Sequence, residues 1–144
     1  LHAHGLGTGS GSGLGLGLAR GGQHLPQHAH AARAEQPDLL ILDTHLLTNR
    51  LWSQTLFGDC PAWLEDELLA RHYDLHLLLS PDDVEWTADG QRCQPHLADR
   101  QAFFQASLDW LQQHRQPTVV IGGDWEERRQ AAFAAVGKLL TQPL

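Results

Sequence analysis

Three short apolar runs fix most of what this chain can become: Leu39-Leu40-Ile41-Leu42, Leu75-His76-Leu77-Leu78-Leu79 and Thr118-Val119-Val120-Ile121. Each is too short for a helix and almost continuously apolar. A strand reads that way when both its faces are buried, as in a parallel sheet flanked by helices. Punctuation follows each run: Asp43-Thr44, Ser80-Pro81-Asp82-Asp83 and Gly122-Gly123. Between the runs the spacing turns helical. Residues 45–57 carry Leu47, Leu51 and Phe57, and residues 62–71 follow Pro61. Residues 99–114 present Phe103, Phe104, Leu108 and Leu111, and residues 124–141 close the pattern. Asp124 is placed to cap that last helix, with Glu127 three positions on. Alternating strands and helices predict an α/β protein with a mainly parallel sheet. Ligands of such sheets bind beyond the carboxyl ends of the strands. Asp43, the Pro81-to-Arg92 segment and Gly122-Gly123-Asp124 are therefore expected to meet in one crevice.

The 144 residues suffice for one domain with a real core. A formal charge of −7 argues against a general nucleic-acid binder but leaves room for small anionic ligands held by local arginines. Cys60 and Cys93 form no metal or redox motif and are expected to be free thiols in a cytoplasmic protein. No apolar run is long enough to span a bilayer, so no membrane partner is expected. Residues 1–22 alternate glycine with Leu, Thr and Ser, and glycine weakens a strand, so they are expected to form a flexible tail. A short helix is expected over 24–36. It carries His24, His28 and His30, which read as an exposed histidine-rich face rather than a metal site. The remaining span, 23–144, is expected to be the folded unit.

Several residues can carry chemistry. Asp43 ends a buried run, where a carboxylate can hold Mg²⁺ through water, activate a hydroxyl, or simply cap the next helix. Thr44 and Thr48 can donate to a ligand or pack. Trp52 and Trp86 are candidate platforms for a planar ring. Glu85 to Arg92 joins an aromatic, a carboxylate and a glycine turn to a guanidinium, and it reads as a loop or lid. In it Asp89 either shapes the turn or meets a ribose hydroxyl. Arg92 and Arg100 can clamp phosphate oxygens.

Leu42-Asp43-Thr44-His45-Leu46-Leu47-Thr48, Trp52, Phe57-Gly58, Tyr73-Asp74-Leu75, Pro81-Asp82, Trp86, Asp89-Gly90-Gln91-Arg92, Arg100 and Ile121-Gly122-Gly123-Asp124-Trp125-Glu126-Glu127-Arg128 follow one another in a recognisable order. Together they resemble the kinase domain of NadR-type proteins, ribosylnicotinamide kinase-like AAA ATPases of the P-loop fold. The resemblance covers roughly residues 23–142. It implies a three-layer P-loop NTPase-like sheet, incomplete at its N-terminus. It also implies ATP and Mg²⁺ as cofactors, and phosphoryl transfer to the ribose hydroxyl of nicotinamide riboside in NAD biosynthesis. Asp43 would stand near Mg²⁺ and the acceptor hydroxyl. Thr44, His45, Thr48, Trp52, Trp86 and Asp89 would line the nucleoside site. Arg92 and Arg100 would be lid arginines, and Gly123, Asp124 and Arg128 would border the adenine.

Two departures qualify that resemblance. The family often reads Asp-Thr-Asp where this chain has Asp43-Thr44-His45, so an imidazole replaces a carboxylate. The family also opens with a strand and G-x-x-x-x-G-K-[ST], whose amides and lysine hold phosphate. These 144 residues contain no such motif, and their only lysine is Lys138. In the P-loop fold that opening strand lies between the strand ending at Asp43 and the one beginning near Asp74. Without it their backbone groups need another partner. Residues 14–18 or a partner chain can supply one. The expectation is a truncated or frameshifted kinase-like domain with impaired transfer. The alternative is a non-catalytic remnant that binds a nucleotide or a partner.

Overall fold

The computed structural model describes residues 15–19, 39–85 and 94–141. The expected helix over 24–36, its histidines, and Trp86, Asp89, Arg92 and Cys93 lie outside the described residues. β1 (Gly15–Ala19), β2 (Leu40–Asp43), β3 (Leu75–Leu79) and β4 (Thr118–Ile121) form one sheet in the order β2-β1-β3-β4. Its helices are α1 (Leu46–Phe57), α2 (Ala62–Leu69), α3 (Leu97–Gln113) and α4 (Trp125–Thr141). Among the described residues, no helix is long and apolar enough to cross a membrane.

β3 and β4 pair in parallel, from His76 opposite Thr118 to Leu79 opposite Ile121. α3 is the crossover that a parallel pair requires. β1 runs antiparallel to both its neighbours. Leu16 faces Asp43 and Ala19 faces Leu40 on one side, and Gly15 faces Leu78 and Leu18 faces Leu75 on the other. β2, β3 and β4 therefore point the same way, as the apolar runs predict, with one strand threaded against them.

That strand corrects the flexible-tail expectation for residues 15–19. Glycine does weaken an isolated strand. Here, however, β2 and β3 each present a row of N–H and C=O groups to the gap between them. Buried backbone groups of this kind must be paired. A strand bonded on both sides satisfies two rows at once, which outweighs the entropy lost by its glycines. The segment fills the slot in which a P-loop strand was expected, with its direction reversed.

The pleat of β3 divides the core. Leu78 is fully buried and packs with Leu47 and Leu51 of α1, Leu68 of α2, and Phe103, Trp110 and Leu111 of α3. Leu75 and Leu77 alternate to the opposite face. There they meet Ile121 and Leu139, with Val119, Ala131, Ala135 and Val136 against them. Each fully buried leucine contributes about 1.5–3 kcal/mol through apolar burial. Three helices are also tied by polar contacts. Arg50 Nε of α1 donates to Glu65 Oε2 of α2, and Trp110 Nε1 of α3 donates to Glu65 Oε1 at 3.1 Å. Burial raises the Glu65 pKa, but the bonds from Trp110 and Arg50 outweigh it and leave the carboxyl below its usual range.

Candidate functional site

The carboxyl ends of β2, β3 and β4 lie along one edge of the sheet. Asp43 closes β2 with an exposed side chain. Its Oδ1 accepts from Thr44 Oγ1 at 3.4 Å. Thr44 has φ +62°, a left-handed conformation that a β-branched residue seldom adopts. Such strain costs of order 1–3 kcal/mol and is found where surrounding contacts enforce it. The kink turns the chain so that His45, not Asp43, caps α1. His45 Nδ1 accepts from the Leu47 N–H at 3.2 Å, and its carbonyl accepts from the Thr48 N–H at 3.0 Å. The capping alternative for Asp43 is thereby removed, and its carboxylate faces solvent.

His45 is buried in a cluster of three rings. Its centroid lies 4.9 Å from Tyr73 and 5.0 Å from His76, and Tyr73 and His76 are 5.1 Å apart. Burial, with His76 beside it, pushes the His45 pKa down to about 3. Burial also brings His76 down to about 4, partly opposed by its bond to the Pro117 carbonyl. Because Nδ1 accepts, the neutral His45 ring carries its proton on Nε2. That atom and the Tyr73 hydroxyl are buried without hydrogen-bond partners among the described residues. Mg²⁺ takes oxygen ligands. A buried neutral imidazole offers no such ligand. Thr48 is buried on α1, and Trp52 is half-buried with its ring 5.0 Å from Phe103.

At the other end of the edge, the turn after β3 meets the turn after β4. The Ser80 N–H donates to the Ile121 carbonyl at 2.8 Å. Asp82 is held by its own turn, with Ser80 Oγ donating to Oδ2 at 3.0 Å, and by Gln101 Nε2, which donates to Oδ1 at 2.7 Å. Arg128, buried in α4, donates to four carbonyls: Gly123 at 2.6 Å, Asp82 at 2.6 Å, Ser80 at 3.0 Å and Ile121 at 3.5 Å. Arg100 is buried as well. It donates to the carbonyls of Gln94 at 3.2 Å and Pro95 at 2.8 Å.

The start of α4 is closed by a complete capping box. Asp124 Oδ1 accepts from the N–H groups of Glu126 and Glu127, and Glu127 Oε2 accepts from the Asp124 N–H, each at 2.9 Å. Gly123 makes it possible. Its φ is +85°, and a Cβ there would stand 2.2 Å from Glu127 Oε2. Two carboxylates already answer the positive end of this helix, so it does not serve as a phosphate cradle.

The described residues thus fit the implied cofactors unevenly. Asp43 suits a Mg²⁺ held through water. Nothing among the described residues of this edge grips a polyphosphate, since Arg128 spends its donors on carbonyls. Lys138 lies in the last turn of α4. By strand spacing Asp43 stands about 10 Å from the end of β3 and about 15 Å from the end of β4. The structure brings Gly123, Asp124 and Arg128 together, and separately Asp43, Thr44 and His45.

Sequence reasoning missed the Tyr73–His76 pairing with His45 and the part played by Gln101. No spacing announces either, because His76 reads as one position of a buried strand. A family model described as AAA domain matches residues 19–128. No curated protein and no solved structure matches the chain.

Proposed function

The chain belongs to the AAA domain family, and from that premise we propose that it is a nucleotide-binding domain of the ribosylnicotinamide kinase type, weak or silent in phosphoryl transfer. AAA domains are P-loop NTPase-like and generally bind ATP with Mg²⁺. The observation that carries the reading is the shared edge. Asp43, the Ser80–Asp82 turn and the Gly122–Asp124 turn stand at the carboxyl ends of three strands that point the same way. That is the position at which α/β sheets bind ligands.

In this reading the three-layer P-loop arrangement persists around a substitute central strand. Asp43 is the carboxylate nearest Mg²⁺ and an acceptor hydroxyl. Thr44 stands beside it, while Thr48 and Trp52 support the nucleoside wall from α1. His45 acts through the cap and the ring cluster. Gly123 and Asp124 border the base. Bound ATP and Mg²⁺ would supply the phosphoryl group and its charge neutralisation. This chain's own residues would orient the nucleoside and hold one carboxylate at the edge. Because the described residues provide no phosphate cradle, binding is expected to outlast catalysis.

Calorimetric titration of the purified chain with MgATP and with nicotinamide riboside, alongside a phosphorylation assay, tests this. Binding of either ligand with turnover at background is the expected result. Robust turnover abolished by Asp43→Ala would replace it with an active kinase. Absence of all binding would remove the nucleotide reading.

A further inference from the structure

We infer that Arg128 is a positioning residue that locks the turn after β3 to the turn after β4, and so makes one rigid rim of the crevice edge. The inference rests on the nucleotide-binding reading for its functional consequence, but not for the rim itself.

The carbonyls at the carboxyl ends of parallel strands outrun the sheet's ladder and need donors from elsewhere. Ser80, Asp82 and Gly123 contribute three such carbonyls, and the Ile121 carbonyl, which already accepts from the Ser80 N–H, takes a longer bond from Arg128 at 3.5 Å. A guanidinium offers five donors in a fixed planar fork, whereas an ammonium is a compact point charge. The fork reaches the carbonyls of both turns at once in one fixed geometry. The Ser80–Asp82 turn is also awkward by itself. Asp83 follows it with φ +61°, so the chain bends sharply there. Gln101 fixes the Asp82 carboxylate from α3, and Arg128 fixes the carbonyls from α4. The turn is thereby clasped from two helices. All four bonds of Arg128 run to backbone, so its work is to hold other groups in place.

Hydrogen exchange followed by mass spectrometry on wild type, Arg128→Met and Arg128→Lys decides the matter. MgATP titration of the same three proteins accompanies it. Met keeps the stem packed and removes every donor, while Lys keeps the charge and guards against misfolding of the Met variant. In Arg128→Met, exchange should rise at least about tenfold in residues 79–85 and 121–126, as expected for losing charged hydrogen bonds. Residues 40–57 should be unchanged, and MgATP affinity should fall about tenfold. Lys should fall between. Unchanged exchange in the two turns, or an equal rise throughout the chain, would overturn the rim. Local loosening with unchanged affinity would overturn its positioning role. Should wild type fail to bind MgATP, the nucleotide reading falls, and the exchange data alone decide the rim.

Discussion

Lowering the pH from 7 to 5 should destabilise the fold by about 4 kcal/mol through two buried histidines. Burial disfavours the charged forms of His45 and His76 and pushes their pKa values down to about 3 and about 4 in the folded chain. In the unfolded chain both return to about 6.5. Between those values the unfolded state binds more protons, so acid favours it. The stability held by neutral imidazoles is complete above pH 6.5. It is lost as pH falls toward the folded values, at about 1.4 kcal/mol per unit for each ring. From pH 7 to 5 that is about 2 kcal/mol per histidine. A total of about 4 kcal/mol is a large part of the 5–15 kcal/mol of an ordinary domain. Carboxylates such as Glu65 contribute mainly below about pH 5, as the pH falls through their unfolded values, so the window between pH 5 and 6.5 belongs mainly to histidine. Urea unfolding monitored by tryptophan fluorescence at half-unit pH steps measures the slope. His76→Phe keeps a ring in the cluster and should halve it. His45→Asn keeps a capping side chain and should do the same. A flat wild-type profile between pH 7 and 5, or a full slope in both variants, would refute the buried neutral cluster.

Other perturbations probe separate elements. Gly17→Pro removes a donor from a strand bonded on both sides and should cost about 3 kcal/mol or more in denaturant unfolding. A tail outside the sheet would leave the midpoint unmoved. Gly123→Ala forces a Cβ onto Glu127 at a positive φ and breaks the capping box, so the melting temperature should drop by several degrees, equivalent to about 1–3 kcal/mol. Thr44→Gly should stabilise by about 1 kcal/mol by relieving the left-handed threonine. Destabilisation in an equilibrium melt would show that the residue's contacts outweigh its strain. Leu78→Ala empties a site touched by three helices and should cost about 2–5 kcal/mol.

The helices and strands from Leu40 onward were legible because their periodicities differ and because proline, glycine and aspartate punctuate them. β3 and β4 have the bounds that their apolar runs predict. The capping box at Asp124 and Glu127 was legible for the same local reason. β1 was legible only in part: the slot left by the missing opening strand pointed to residues 14–18 as one filler, but their glycines argued for a tail, and nothing local set the reversed direction. The slot is a property of the whole sheet. Asp43 was correctly placed at a strand end, yet the capping role passed to His45 through a threonine kink that composition does not announce. Arg128 was assigned beside the adenine by the resemblance alone, and its clasp on the two turns was not legible because exposed and clasped arginines are identical in sequence. Only the positions of four carbonyls from two turns distinguish them.

The reversed direction of β1 sets the polarity of anything built onto it. The Ala19 end of β1 lies at the margin of the sheet far from Asp43, since Ala19 faces Leu40. A loop that grips phosphate after its strand, as in the P-loop order, would open there and miss the crevice. The Gly15 end of β1 lies instead beside Asp43 and Leu78. In this molecule a phosphate-holding device coupled to the central strand would have to come before the strand. Engineering a lysine-bearing glycine loop should therefore begin upstream of Gly15.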